Sequence, residues 1–358
     1  MDNRAHPVDV LLEQIRQEEG EAFVFDEGKI REDISKSVSS SASLPIRLLT
    51  IFGGIMASIF FIGFLLLIGL YDSDLGMLIV GLVFLIGSVA ILRYNANTMM
   101  ETSCVAFNMM GYLLFCTGFS ELISSDIALC VALAALAAGV FLVADNMLLR
   151  FLAVLVFFGS LAGITLIYEA DNLMHVFIGV VTALLTYMSL KEAKFMRRSA
   201  LLNQVYRPLR MGLVFSLLSG LALLVHQPLL SIDITHLWVS SLFLVVALLV
   251  VLAKVLQQAP VTNRKTQAIV YICCCLVLAP TMLTPSIAGA LLVMVSSFYI
   301  GHRVSFTVGL LGLIYFVILY YYDLQFTLLV KSGILVLSGI LFIVGYLLLH
   351  KNLKSYVE

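Results

Sequence analysis

The residues that could do chemistry in this chain are the few polar side chains set within its long apolar runs. Asn108 sits inside one run, His175 and His226 lie near the ends of two others, and Lys331 stands just inside the last. Glu121, Glu169 and Asp323 mark run ends, and Thr327 falls between Asp323 and Lys331. Ionisable and amide groups are costly in hydrocarbon, so they are the first functional candidates wherever a run crosses a membrane. Lys331 could move a proton or hold a substrate, with Asp323, Glu121 or Glu169 as its partner at the same level. At about 1.5 Å per residue it is also only about 5 Å deep, shallow enough to snorkel to the headgroups or form a structural ion pair.

An imidazole titrates near neutrality and can relay protons. Histidines without carboxylates at ligand spacing more often bond a carbonyl or face the headgroups. His226 is followed by Gln227 and Pro228, which would loosen its last turn. The usual reaction signatures are missing: no phosphate loop, no H-E-x-x-H and no G-x-S-x-G. No run carries two carboxylates at metal-ligand spacing near its middle. The six cysteines (Cys104, Cys116, Cys130 and Cys273-Cys274-Cys275) form no C-x-x-C pair and read as small packing residues. The sequence therefore nominates no catalytic residue, cofactor or metal. An enzyme would require Glu121, Glu169, His175 and Lys331 to converge in one cavity.

The elements that must position these groups are helices. The chain is 61% hydrophobic and 12% charged, with a mean hydropathy of +1.06. Soluble domains carry about 25% charged residues, so too little polar surface remains to coat a water-soluble globule. Runs such as 237–256 show no apolar/polar alternation, which excludes a membrane barrel and points to an all-α integral membrane protein. About twelve spans can be drawn, near 46–70, 75–92, 103–122, 126–144, 150–167, 172–190, 209–230, 236–256, 267–284, 286–301, 303–320 and 328–349. The pair 267–284 and 286–301 could instead be one broken or re-entrant unit, because Pro280 and Pro285 crowd the joint.

Charge sets the threading. With a cytoplasmic N-terminus, every Lys and Arg except Lys331 falls in cytoplasmic joints or at cytoplasmic span ends, the positive-inside pattern. The basic joints include 191–210 and 254–265, and the tail 351–358 joins them. The acidic joints, with Asp72, Asp74, Glu121, Asp126, Glu169, Asp171, Asp233 and Asp323, face the periplasm. That rim could attract a cationic ligand, but clearing Lys and Arg from translocated loops leaves the same pattern. The basic 191–210 joint could bind anionic headgroups or the acidic prefix. Tight acidic joints suggest helical hairpins turning at the periplasm, the first span being an uncleaved anchor. Tyr315, Phe316, Tyr320, Tyr321, Tyr322, Phe326 and Trp238 suit an aromatic belt.

Residues 1–44 form an acidic cytoplasmic prefix ahead of the 45–350 membrane domain. Val8, Leu11, Leu12 and Ile15 suggest a short amphipathic helix, and Ile30, Ile34 and Val38 a second. The run 126–144 carries Ala128/Ala132, Ala134/Ala138 and Ala135/Gly139, small-xxx-small pairs that let backbones approach. It is expected to sit centrally.

The stretch Tyr320-Tyr321-Tyr322-Asp323-Leu324-Gln325-Phe326-Thr327-Leu328-Leu329-Val330-Lys331-Ser332-Gly333 resembles the closing signature of the DUF4401 family of uncharacterised bacterial polytopic membrane proteins. There a tyrosine-rich span end precedes a Thr-Leu-Leu-x-Lys-Ser opening of the final helix. The resemblance implies a Gram-negative-type inner-membrane location. It also implies possible membrane partners of the DUF2157 or GDYxxLxY type, and it assigns no catalytic residue. Apart from lipid and such partners nothing is indicated, and nucleic acid is not. The sequence reads as a non-enzymatic scaffold or regulatory subunit of an envelope complex. The alternative is a secondary transporter of a small or lipidic solute, using Asn108 and the Pro280/Pro285 break.

Overall fold

In hydrocarbon no water is available to the peptide groups, so each apolar run closes its N–H and C=O bonds within its own helix. The computed structural model describes residues 60–61, 63–65, 67–69, 73–94, 98–168, 171–192, 195, 200–226, 236–258, 278, 280–323, 336, 339–340 and 343. The helices are α1 (Asp74–Tyr94), α2 (Thr98–Leu122), α3 (Asp126–Val143), α4 (Met147–Ile167) and α5 (Asp171–Leu190). They continue as α6 (Ala200–Val225), α7 (Trp238–Gln258), α8 (Pro285–Ile300) and α9 (Arg303–Asp323), with a 3-10 turn at Pro280–Leu283 before α8. No strand occurs among the described residues. Among the described residues, eight helices are long and apolar enough to cross a membrane. The acidic prefix, the last predicted span apart from isolated positions, and most of 46–70 and 267–284 lie outside the described residues.

Capping residues set several boundaries. Ser125 accepts from the Ala128 amide to start α3, and Asn146 accepts from the Leu148 and Leu149 amides to start α4, satisfying donors a helix leaves open. Gly301 ends α8 in the left-handed region at φ 76°, where a side chain would be strained. Helix α8 has 16 residues, about 24 Å at 1.5 Å each and short of a ~30 Å core. Pro285 opens it just after the 3-10 turn, which places a break in the predicted 284–286 joint.

Two expectations are corrected. Helix α6 starts at Ala200 rather than near 209. Leu201, Leu202, Val205 and Leu209 recur at helical spacing, and the intervening Arg207 is a good helix former. Pro208 lies inside this helix and forfeits one backbone bond. The Ala-rich α3 is peripheral, with Ala137 its one buried residue among those described. The central helix is α8, of which nine residues are buried, including Ala288, Gly289, Ala290 and Val293. Around it α5, α6 and α7 contribute Ile178, Val181, Leu217, Leu221, Leu244 and Val251 to the main core. Small side chains help only on a face that meets large ones. On α8 they do so: a Cβ at Gly289 would stand 2.1 Å from Leu221 Cδ1.

The most extensively packed neighbours are α1 with α2, α3 with α4, and α8 with α9. Each pair turns at the end of the bundle that carries Arg93, Arg150, Arg207, Arg210 and Arg303 (called here the basic end). The tight acidic joints therefore do not define the packed hairpins. Backbone proximity does: a Cβ at Gly81 would lie 2.7 Å from Phe115 N, and one at Gly118 would lie 2.6 Å from Asp74 O. No such obstacle surrounds Gly139, which has nothing within 4 Å. Gly118→Ala is expected to lower stability by about 1–3 kcal/mol through overpacking. Gly139→Ala should instead gain up to about 1 kcal/mol from helix propensity. Thermal unfolding in detergent separates them, and equal shifts would contradict the close α1–α2 contact.

Candidate functional site at the basic end

Burying an arginine is costly unless its charge and its five N–H donors are matched. Arg210, nearly three turns into α6, is 4% exposed. Its Nη2 donates to Ser305 Oγ of α9 at 3.2 Å, and its Nη1 lies 3.8 Å from Glu192 Oε1, just beyond α5. That second distance is an ion pair too long for a charge-assisted hydrogen bond, which runs at about 2.7–2.9 Å. Tyr206, one turn earlier on α6, donates its hydroxyl to the Met188 carbonyl at 3.3 Å. The α8–α9 joint, Gly301 and His302, closes the fourth side. Glu192, Tyr206, Arg210, Gly301 and His302 line a cavity of about 310 Å³ together with Met147, Arg207, Met211 and Ile300.

Electrostatics in the cavity favour an anion. Burial pushes the Glu192 carboxyl above its ordinary range, and Arg210, Tyr206 and Arg207 only partly oppose this. Burial, then the charges of Arg210 and Arg207, hold the His302 ring below its ordinary value. His302 Nδ1 accepts from the Ser305 amide at 3.2 Å and lies 3.1 Å from Ser305 Oγ. It thereby caps the start of α9 as a neutral ring. The positive end of the α9 dipole adds to the two guanidiniums there.

A second polar group ties neighbouring helices. Arg93 Nε reaches Asp145 Oδ2 at 3.2 Å, and buried Arg150 lies 3.7 Å from the other oxygen. Asn146 Nδ2 donates to Glu101 Oε1 at 2.8 Å, fixing the α3–α4 joint to α2. Along α5, His175, Thr182, Thr186 and Ser189 are all buried, a polar face about 21 Å long at 1.5 Å per residue.

Among the described residues, the candidates read from sequence do not meet. Asn108 is fully buried, and its Nδ2 donates to Ser88 Oγ at 2.9 Å, pinning α2 to α1. His175 Nδ1 lies 2.6 Å from Ser240 Oγ between α5 and α7. His226 Nε2 lies 2.7 Å from the Tyr315 hydroxyl between α6 and α9. Glu121 is exposed. Glu169, Thr327 and Lys331 lie outside the described residues, and Asp323 is described for its backbone alone. Among the described residues, no three His, Cys, Asp or Glu side chains gather at metal-binding range.

The family model described as "Domain of unknown function (DUF4401)" matches residues 43–352, most of the chain. The chain belongs to the DUF4401 family. No curated protein and no solved structure matches it. In this DUF4401 chain the signal for the basic-end cavity was present but misfiled. Arg207 and Arg210 read as cations of the basic 191–210 joint. Only the early start of α6 carries Arg210 into the packed region.

The neutral His302 has a stability consequence. A histidine whose folded pKa is lowered contributes fully above its unfolded value of about 6.5, and the contribution is lost as pH falls from that value through the lower folded one. Unfolding temperature should therefore drop between about pH 7.5 and pH 5.5, over the range in which the unfolded imidazole gains its proton. His302→Asn, which keeps an acceptor for the α9 cap, should show a smaller drop. A slope identical in both proteins would remove His302 from the account.

Proposed function

We propose that this DUF4401 protein is a non-enzymatic subunit of a membrane complex in the bacterial cytoplasmic membrane, with both termini in the cytoplasm. The observation that carries this reading is the lateral surface of α3. Ala135 and Gly139, a small-xxx-small pair, are exposed there. They border an apolar groove of about 400 Å³ walled by Leu82, Ile86 and Val89 of α1 and by Leu136 and Val140 of α3. A helix that presents small residues outward beside a groove offers a partner helix close backbone approach, the main source of helix association in lipid. Scattered polar groups, several of them bonded across a helix pair, support structural cohesion over turnover. Membrane proteins of the DUF2157 or GDYxxLxY type are the first partners to test.

Two outcomes are expected. Purified from native membranes in mild detergent, the protein should carry a partner at fixed stoichiometry. Ala135→Leu with Gly139→Leu should release that partner by at least about tenfold, an effect of about 1.4 kcal/mol, without lowering thermal stability. A wild-type protein that repeatedly emerges alone and fully stable would end the proposal. For orientation, an impermeant thiol reagent on intact spheroplasts should label a cysteine placed at Asp171 and miss one at Arg198. The reverse pattern would invert the threading.

A further inference from the structure

The basic-end cavity is a built polar site that a purely structural role leaves unused. Its walls carry Arg207 and Arg210 against one carboxylate, Glu192. Arg210 is buried with one hydrogen bond to Ser305 and a 3.8 Å ion pair to Glu192 that is too long for a hydrogen bond. A buried guanidinium compensated only in part retains donors for a ligand. Arg207, one turn earlier, is exposed at the mouth. Because His302 Nδ1 accepts from Ser305, the neutral ring carries its proton on Nε2, a further donor on the wall. The start of α9, a helix of 21 residues, lies beside it.

We propose that this cavity binds a phosphate-type oxyanion through Arg207, Arg210 and His302. Two guanidinium forks and a helix N-terminus match a dianion of tetrahedral oxygens. A monocarboxylate would leave one fork unused. Glu192 is the one carboxylate in the lining, set against two guanidiniums. Met147 and Ile300 give the wall an apolar side that an ester's carbon substituent would cover. The phosphate belongs either to a small soluble ester or to a lipid headgroup at the membrane surface. The chemistry recognised is the same in both.

The test uses the full chain in detergent and in nanodiscs. In detergent, unfolding temperature is followed against inorganic phosphate and glycerol phosphate, with chloride and acetate at equal ionic strength. In nanodiscs, phosphatidylcholine alone is compared with phosphatidylcholine containing phosphatidic acid. Saturable stabilisation by the soluble phosphates identifies a soluble ligand, and stabilisation only by phosphatidic acid identifies a headgroup. Arg207→Gln, at an exposed position, should weaken the apparent affinity roughly 10- to 100-fold, as for one lost charged hydrogen bond. Arg210→Lys keeps the charge but loses the fork, and should weaken it as well. The proposal is overturned if neither phosphate source stabilises the protein beyond chloride and acetate, or if Arg207→Gln leaves the stabilisation intact.

Discussion

No hydrophobic force draws two apolar helices together inside hydrocarbon, so the cohesion of this bundle depends on how closely its backbones approach. The α1–α2 pair meets at Gly81 and Gly118, where added Cβ atoms would fall within 3 Å of the neighbouring backbone. The core of α4–α9 uses the same device in another form, seating Leu221 in the notch at Gly289. Where small residues face no large neighbour, as on α3, they add no cohesion and stay at the periphery. Dispersion gains of this kind fall off steeply with a gap of even half an ångström. The bundle should therefore respond strongly to volume changes at a few glycines and weakly elsewhere.

Polar bonds that cross helix boundaries supply the second source of cohesion. Asn108–Ser88 joins α2 to α1, His175–Ser240 joins α5 to α7, and His226–Tyr315 joins α6 to α9. Such bonds are modest, because polar groups in an unassembled bundle also find partners. They fix rotation about the helix axes more than they add stability. Arg210 differs from them in being charged, buried and only partly matched.

Helix existence was legible because the apolar runs are long and the charges segregated. The spans read at 75–92, 126–144 and 236–256 lie within two residues of α1, α3 and α7 at each end. The start of α6 was not legible: hydropathy treats Arg207 and Arg210 as the end of a span, whereas leucine spacing carries the helix on to Ala200. Membership of DUF4401 was legible from the tyrosine-rich Tyr320–Gly333 stretch and holds over 43–352. Which helix is central was not, because small residues mark both α3 and α8 and only the partners' shapes choose between them. The cavity was hidden for a related reason. Glu192, Arg210 and His302 come from three separate segments, and no spacing rule in one dimension brings them together.

The joint between the central helix and its neighbour consists of two residues, Gly301 and His302. So short a tether permits almost no independent travel. Any piston-like slide of α8 against α6 would drag the cap of α9 with it and alter the width of the arginine-lined chamber. Packing at the molecule's middle and occupancy at its charged rim are thus mechanically linked. A side chain large enough to fill the notch at residue 289 should be felt at Arg210, several helical turns away.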